Sequence, residues 1–400
     1  MKDKLVKKRI ENFCSAYGGD KIRPLAKAVP LPEIGLSRVR EAVPLILTAQ
    51  RIILKSMLKN LGKDKVLDFF GIPRELSSWI TILDDVEFEF PILRVDVIPT
   101  NDNKSWICEL NVDSSVGGAE ASQFLKMEQP ESKLEMSHFP YDSLAQLILK
   151  YLAKTSATKV CILDWEHWGR YGSFTLDWLK LTLSFALPGV EVFFATEKNG
   201  LEKVDKSTLV FRVFLSEDAL ENLSATAAIF ESSAAVICDF SGELLGSKIW
   251  LALLHDDSYR CFLNQETLVA IDETIPYTVL VHESNFQALL DAKSEFFFKV
   301  ASDFGGKGVI CGRTASAEEV SNRVGKNLMT RWIAQKACSV KPMPVTRIDN
   351  SEPVPSNVVL GLYLIDGHWS GVLVRANANA EIINVAAGSS IGWGYEATVL

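Results

Sequence analysis

Several features that would assign a chain quickly to a class are missing from this 400-residue sequence. Its seven cysteines are an odd number at wide spacing with no Cys-x-x-Cys pair, which argues against a disulfide framework or a zinc site and favours reduced thiols. No apolar run approaches the roughly 20 residues that a membrane-spanning helix needs. The charged start of the chain has no apolar segment behind it, so the sequence predicts a cytoplasmic protein.

An excess of basic charge is also missing. The net charge of −8 argues against a nucleic-acid binder, although a local basic patch could still hold a phosphate-bearing small molecule. The sequence has no internal repeat, and its five histidines are too scattered to suggest a Ser-His-Asp set. With 48% hydrophobic and 23% charged residues the composition is that of a globular protein, and the length predicts two or three lobes.

The most informative stretch predicts a β-hairpin between residues 93 and 112. Residues 93–98 alternate polar and apolar side chains, as a strand does. Residues 100–104 are rich in Asn and Asp, which favours a turn. Residues 106–112 then form the second strand.

The polar residues of this hairpin are candidate ligands. Side chains two apart on a strand share a face, so Arg94 would lie beside Asp96, and Glu109 beside Asn111. If the strands pair about the turn, carboxylate and amide oxygens could converge on Mg²⁺ with phosphate oxygens completing its shell. The alternative is a half-exposed hairpin whose charges are only solvated.

Elsewhere the first 154 residues look mainly helical. Residues 38–61 have apolar residues at helical spacing, with Pro44 marking a kink or a start. Residues 126–139 are polar and loop-like, and residues 142–154 predict an amphipathic helix.

From residue 159 the pattern changes to alternating strands and helices, which predicts a small parallel α/β lobe. Strands are expected at residues 160–163, 190–195 and 209–215. The polar aromatic segment 164–174 would be a loop at the end of the first strand, where ligands bind in open α/β sheets. It could contact substrate through Glu166, Arg170 or Ser173, or it could be surface only.

The last third predicts short helices and antiparallel strands. Residues 300–310 read as strand, glycine-rich loop, strand, and the loop glycines could leave N–H groups open to phosphate beside Lys299 and Lys307. An ordinary hairpin turn has the same appearance, and the pattern is neither a Walker loop nor a Rossmann fingerprint. Asp366-Gly367 predicts a two-residue hairpin turn, and residues 381–385 a final strand.

The order of these elements resembles the circularly permuted ATP-grasp enzymes, above all the synthetase domain of glutathionylspermidine synthase and, more distantly, eukaryotic glutathione synthetase. The resemblance runs from about residue 90 to the end. It is carried by Arg94-Val-Asp96, Glu109-Leu-Asn111, Phe211-Arg212, Ser247-Lys248, Lys299 to Gly305 and Gly371 to Arg375. It implies a mixed α+β and α/β fold with a helical region and metal hairpin (1–154), an α/β substrate lobe (155–240) and ATP-grasp nucleotide lobes (241–400).

The resemblance also implies roles for individual residues. Arg94 would steady an acyl phosphate and Arg375 a phosphate. Two Mg²⁺ ions would be bound by Asp96, Glu109, Asn111 and Asp303. ATP would be held by Lys248, Lys299, Gly305, Gly306, Lys307 and the backbone of Gln335, Lys336 and Ala337. Substrate would be contacted by Ser114, Ser115, Gly117, Arg170 and Arg212, although the two serines could equally just close a turn.

The implied activity is an ATP-dependent ligase that joins a small-molecule carboxylate to an amine, without nucleic acid or membrane, and compatible with a homodimer. Four positions depart from the family pattern: Asp303 replaces a glutamate, Val300 a proline, Ser302 an arginine and Lys336 a glutamate. Two alternatives therefore remain open. One is an ATP-grasp kinase or acid–thiol ligase, and the other is a non-catalytic binding or scaffold protein.

Overall fold

The computed structural model describes residues 23–84, 90–113, 117–122, 139–303, 308–328, 330–348, 352–383 and 388–395. Within these ranges the protein is a mixed α/β structure with three β-sheets. No helix in the described part of the chain combines the length and the apolar composition that a membrane span requires. The loop predicted at 126–139 falls almost wholly outside these ranges.

The strands are β1 (Arg23–Pro24), β2 (Val29–Pro30), β3 (Ile92–Pro99), β4 (Ser105–Val112), β5 (Lys159–Leu163), β6 (Glu191–Ala195), β7 (Thr208–Arg212), β8 (Ala235–Ile237), β9 (Thr278–Leu280), β10 (Phe296–Val300), β11 (Val309–Cys311), β12 (Trp332–Lys336), β13 (Met343–Val345), β14 (Val354–Ile365), β15 (His368–Asn377) and β16 (Ser390–Tyr395). The α-helices are α1 (Glu33–Leu61), α2 (Lys63–Phe70), α3 (Pro140–Lys154), α4 (Glu166–Ala186), α5 (Ser216–Glu221), α6 (Leu223–Glu231), α7 (Ser241–Leu245), α8 (Ile249–Leu253), α9 (Asp257–Arg260), α10 (Gln265–Thr274), α11 (Glu283–Asp291) and α12 (Ala317–Arg323).

The predicted hairpin is confirmed, and it forms one edge of the largest sheet. The main strand order of that sheet is β1-β16-β15-β14-β3-β4, with β2 beside β16 and β13 beside β14. Across the hairpin Asp96 pairs with Glu109 and Arg94 with Asn111. An irregularity in the register follows Asp96, so the ladder shifts beside the pair of carboxylates.

The second predicted hairpin, β14–β15, is also confirmed. Asp366 and Gly367 have φ angles of 49° and 78°, the left-handed values that a mirror-image two-residue turn needs at both positions. The strand predicted at 381–385 is wrong for residues 381–383, which are bent, and residues 384–387 lie outside the described ranges. The last described strand is β16. Its glycines interrupt the alternating pattern by which a strand is predicted from sequence.

The parallel α/β lobe is confirmed, with strand order β6-β5-β7-β8. The loop predicted at 164–174 is wrong, because α4 begins at Glu166 and only Asp164 and Trp165 connect it to β5. Connections of two to six residues or so are usual in such units. Strand β8 and helices α5 and α6 were not predicted.

The third sheet is small and antiparallel, with order β11-β10-β12-β9. One of its faces contributes to a separate apolar core that includes Phe298, Trp332 and Ala334. The alternate residue Ile333 instead joins the main core of the protein. Because strand side chains alternate between faces, Lys299 and Gln335 lie on the face that is turned toward the main body.

Helix α1 packs against this body and starts earlier than predicted. It runs unbroken from Glu33 to Leu61 with Pro44 inside. Its apolar stripe, which includes Val39, Val43 and Ile46, is fully buried. The free energy gained by burying that stripe offsets the cost of the backbone hydrogen bond that proline cannot donate.

Candidate functional site

Asp96 lies at the centre of a buried polar cluster on the large sheet. Arg94 Nε donates to Asp96 Oδ1 at 2.8 Å, and Arg94 Nη2 donates to Oδ2 at 3.0 Å. Arg375, on β15, places Nη2 2.7 Å from the same Oδ2. Asn111 Nδ2 donates to Oδ2 at 3.1 Å. Three side chains, from strands β3, β4 and β15, therefore meet at the carboxylate of Asp96.

The charges of this cluster are strongly coupled. Burial by itself would raise the pKa of Asp96, but attraction by Arg375 and Arg94 outweighs it and lowers that pKa to about 2. Burial likewise opposes the charge on Arg94, but the combined attraction by Asp96, Tyr363 and Glu109 outweighs it, so the pKa of Arg94 is raised. Asp96 is thus an anion that holds two guanidinium groups in place.

The backbone leaves room for this cluster at Gly361, which pairs with Asp96. A Cβ atom at Gly361 would lie 2.7 Å from Arg94 Cδ and 3.1 Å from Asp96 Oδ1. A second anchor comes from Gly117, whose carbonyl accepts from Arg94 Nη1 and from the Tyr363 hydroxyl, each at 2.7 Å. Neither Gly361 nor Tyr363 was predicted, because β14 meets β3 only in the folded sheet.

Glu109 lies across the hairpin from Asp96 and forms its ion pair with a lysine instead of an arginine. Lys248 Nζ lies 2.8 Å from Glu109 Oε1 and donates to the Asp303 carbonyl at 2.6 Å. Lys248 is 5% exposed and directly precedes α8. Its own N–H donates to the carbonyl of Ala301. Lys248 therefore ties the β3–β4 hairpin to the segment that follows β10.

Lys299 reaches the same strand from the small sheet. Its Nζ donates to Gln335 Oε1 at 2.6 Å and to the Cys108 carbonyl at 3.2 Å. Gln335 is held in turn by Thr278, to which its Nε2 donates at 3.3 Å. Two lysines from separate elements thus converge on neighbouring residues of β4. Such paired cations suit the oxygens of a polyphosphate.

Cys108 itself is not an activated nucleophile. Its Sγ donates to the Asp96 carbonyl at 3.2 Å. Burial raises the pKa of this thiol to about 11. A thiolate is the reactive form of cysteine, so the geometry favours chemistry without a covalent thioester here.

Arg375 offers a donor toward a further anion. Its Nε is buried, and no described residue accepts a hydrogen bond from it. Buried polar groups nearly always have a partner, so this atom is suited to a bound anionic group. The phosphate role predicted for Arg375 is compatible with this geometry and stays a prediction.

Arg212 does not lie in an open substrate site. It is fully buried, and its guanidinium contacts the Asp113 carboxylate and the carbonyls of Phe214, Cys238 and Asp239. Every one of these partners belongs to the protein. The prediction that Arg212 contacts substrate is therefore not supported, and the residue instead fixes the end of the hairpin to the parallel lobe.

Two backbone donors of the segment predicted to contact adenine have partners within the protein. The N–H of Lys336 donates to the Tyr277 carbonyl at 2.8 Å, and that of Ala337 donates to the Glu295 carbonyl at 2.7 Å. The Lys336 side chain is exposed and lies 3.9 Å from Glu295. Gln335 contributes through its side chain rather than through a free backbone donor.

Several predicted residues lie outside the described part of the chain. These are Ser114, Ser115, Gly305, Gly306 and Lys307. The backbone of Arg170 lies in α4, but its side chain is not among those described. Asp303 is half-buried, and its carboxylate lies close to Gly308, where a Cβ atom would come 2.4 Å from Asp303 Oδ2.

The acidic residues of the described part of the cluster do not form a preformed metal site. Among the described residues, no group of three or more His, Cys, Asp or Glu side chains could hold a metal ion. Both oxygens of Asp96 already face guanidinium groups, which oppose a nearby cation. The ligand role predicted for Asp96 is therefore not supported. Glu109, Asn111 Oδ1 and Asp303 are the remaining candidates.

Comparisons with known proteins address the fold. No protein-family model matches the sequence, and no curated protein matches it. Among solved structures, the chain is similar to a glutathione synthetase-like effector from Globodera pallida in its apo form. The TM-score is 0.61 at 13% identity, and the match covers 99% of this chain and 96% of that chain. This chain therefore has the fold of a glutathione synthetase-like protein.

A second similarity is weaker. A proposed gamma-glutamylcysteine synthetase from Methylobacillus flagellatus KT gives a TM-score of 0.46 at 11% identity, covering 93% of this chain and 89% of that chain. We draw no argument from it.

Proposed function

We propose that the protein is an ATP-dependent ligase that joins a small-molecule carboxylate to an amine through an acyl phosphate, on a circularly permuted ATP-grasp fold. The observation that carries the proposal is the convergence of Lys248 and Lys299 on β4, beside the arginine pair at Asp96. The likeness to a glutathione synthetase-like effector supports the same class of fold.

The proposed residue roles follow from the positions of the charges. Lys248 and Lys299 would hold phosphates of ATP, whose transfer needs cations around its equatorial oxygens. Arg94 and Arg375 would stabilise the negative charge on the acyl phosphate and on the tetrahedral species that forms when the amine attacks. Asp96 orients both guanidinium groups, because it binds each of them before substrate arrives.

The bonds change in two steps. A carboxylate oxygen of the acid attacks the γ-phosphorus, and ADP leaves. The amine then attacks the acyl carbon, loses a proton, and phosphate leaves. Mg²⁺, proposed as two ions held by Glu109, Asn111 and Asp303, would neutralise triphosphate charge. No side-chain nucleophile is required in either step.

The proposal is tested by release of ADP and phosphate that depends on both an acid and an amine, with mass spectrometry of the product. An amide adduct short by one water supports the ligase. A phosphorylated acid or a thioester would instead indicate a kinase or an acid–thiol ligase. An Asp96→Ala/Glu109→Ala variant that keeps full activity would contradict the proposed site.

One observation favours a second candidate, a non-catalytic binding or scaffold protein. The backbone donors expected to meet adenine are occupied by Tyr277 and Glu295. Calorimetry decides between the two, since a chain that fails to bind ATP in the presence of Mg²⁺ cannot be the ligase.

A further inference from the structure

A cavity lies where the small antiparallel sheet meets helix α2, away from the lysine cluster formed by Lys248 and Lys299. Its volume is about 520 Å³. Cavities for small molecules span about 300 to 1,000 Å³, so it has the size of a ligand site. It borders Trp332, whose ring belongs to the apolar core on the far face of the small sheet from Lys299 and Gln335.

The cavity is lined by both apolar and charged side chains. Phe69, Leu280 and Leu328 supply apolar surface. Lys326 and Arg331 supply positive charge against the single carboxylate of Glu283. The charge balance of the lining therefore favours an anion, and the apolar residues favour an organic one.

Trp332, one of the residues that line the cavity, also carries a buried hydrogen-bond donor. Trp332 is 5% exposed, and no described residue accepts a hydrogen bond from its Nε1. A buried N–H of this kind is nearly always satisfied in a folded protein. A carboxylate, sulfonate or phosphate oxygen that reached this donor would satisfy it, in a cavity that Lys326 and Arg331 also line.

We propose that this cavity binds a small organic anion with an apolar or aromatic body. The anionic group contacts Trp332 Nε1 and the two cations, and the body packs on Phe69 and Leu328. The site lies outside the cluster assigned to ATP, and its existence does not depend on the proposed ligase activity.

The back wall of the cavity is connected to the lysine cluster by backbone. The carbonyl of Arg331 accepts from the Ala301 N–H at 2.9 Å, and the carbonyl of Ala301 accepts from the Lys248 N–H at 3.2 Å. Arg331 also donates to the Phe69 carbonyl at 3.2 Å, so the cavity spans the junction between the small sheet and α2. The cavity and the lysine cluster therefore share one backbone hydrogen-bond chain.

The test is a fluorescence titration with anilinonaphthalene sulfonate, an aromatic anion, against phenylnaphthylamine, which lacks the sulfonate. We expect one sulfonate probe per chain and weaker binding of the neutral analogue. Trp332→Phe keeps an aromatic ring and removes Nε1, so it should lower the affinity for the sulfonate probe about tenfold. Lys326→Glu, on the exposed rim, should lower the affinity for the sulfonate probe similarly. Lys206→Glu changes an exposed lysine of the parallel lobe and, as the control, should leave that affinity unchanged.

Each other outcome overturns the proposal. Equal binding of the neutral probe removes the anion argument. Unchanged affinity in both Trp332→Phe and Lys326→Glu places the probe elsewhere, as does complete displacement by saturating ATP. Because the probe is read directly, the cavity can be confirmed even if the protein proves unable to bind ATP.

Discussion

Glu109 Oε1 lies 2.8 Å from Lys248 Nζ, so a predicted metal ligand and a predicted phosphate ligand neutralise each other across β4 and the start of α8. Any polyphosphate that binds Lys248 must compete with this carboxylate. A cation that arrives with the phosphate would resolve the competition, because it gives Glu109 a new partner.

The first prediction follows from this pair. Glu109→Gln removes the competing charge, so ATP without Mg²⁺ should bind several-fold more tightly than it binds the wild type. The same variant should lose most of the gain in affinity that Mg²⁺ gives. Calorimetry with and without Mg²⁺ measures both, and Glu191→Gln on an exposed strand position is the control. Identical titrations for Glu109→Gln and wild type would contradict a shared role for Glu109.

The second prediction concerns Asp96. Asp96→Asn would leave Arg94 and Arg375 buried without their counter-charge, and breaking such a pair costs about 3–5 kcal/mol of unfolding free energy. Urea unfolding measures the loss, with Asp257→Asn on an exposed helix expected within about 0.5 kcal/mol of wild type. A loss at Asp96 no larger than at Asp257 would show that the cluster is not held by this carboxylate.

The third prediction concerns Gly361, where a Cβ atom would crowd Arg94 Cδ at 2.7 Å. The head of Arg94 is fixed by Asp96 and Gly117, so the side chain cannot swing away freely. Gly361→Ala should cost about 1–3 kcal/mol of stability, the usual range for overpacking. At Gly117 a Cβ atom would meet nothing within 4 Å, so the stability of Gly117→Ala should stay near that of wild type. Equal stability of both variants, read from urea unfolding, would contradict the crowding.

The fourth prediction is a pH dependence in the parallel lobe. Burial raises the pKa of Asp164 from 3.8 to about 7. Between these values the folded state holds a proton that the unfolded state has lost, so this group makes stability fall as pH rises from about 4 to about 7. One pKa unit corresponds to about 1.4 kcal/mol, so the full effect is on the order of a few kcal/mol.

Asp164→Asn removes that titration. Its unfolding free energy relative to wild type should increase steadily over the same pH window and level off above it. Chemical denaturation at several pH values measures the difference, with Asp257→Asn as the variant expected to show no such trend. A constant difference between Asp164→Asn and wild type across the window would contradict the assignment.

The sequence predicted those parts of the fold whose signals are local. Alternation and turn residues were sufficient for the β3–β4 hairpin and for the Asp366-Gly367 turn. The segment 164–174 was predicted to be a loop because it is rich in aromatic and polar residues. In the structure the connection after β5 is short, and most of the segment belongs to helix α4. Strand β16 was missed because Gly392 and Gly394 weaken its pattern, and only packing against Leu25 and Leu31 explains them.

The residues of the candidate site also differ in how far the sequence could predict them. Arg94, Asp96, Glu109 and Asn111 were placed on one surface by strand periodicity alone. Their partners Lys248, Lys299 and Arg375 approach from distant elements, so strand periodicity could not place them at the hairpin. Lys248 and Arg375 were assigned by resemblance, and Lys299 was also noted for its charge beside the glycine-rich loop. Arg212 was assigned to substrate by resemblance, and its burial among partners within the protein could not be derived from the sequence.

The most direct test of the proposed function is a crystal structure with a non-hydrolysable ATP analogue and Mg²⁺. The account predicts the phosphates of the analogue between Lys248 and Lys299, with Glu109 moved from Lys248 to the metal and Arg375 Nε facing the γ-phosphate. An analogue bound elsewhere, or Lys248 still paired with Glu109 in a nucleotide-bound chain, would contradict it.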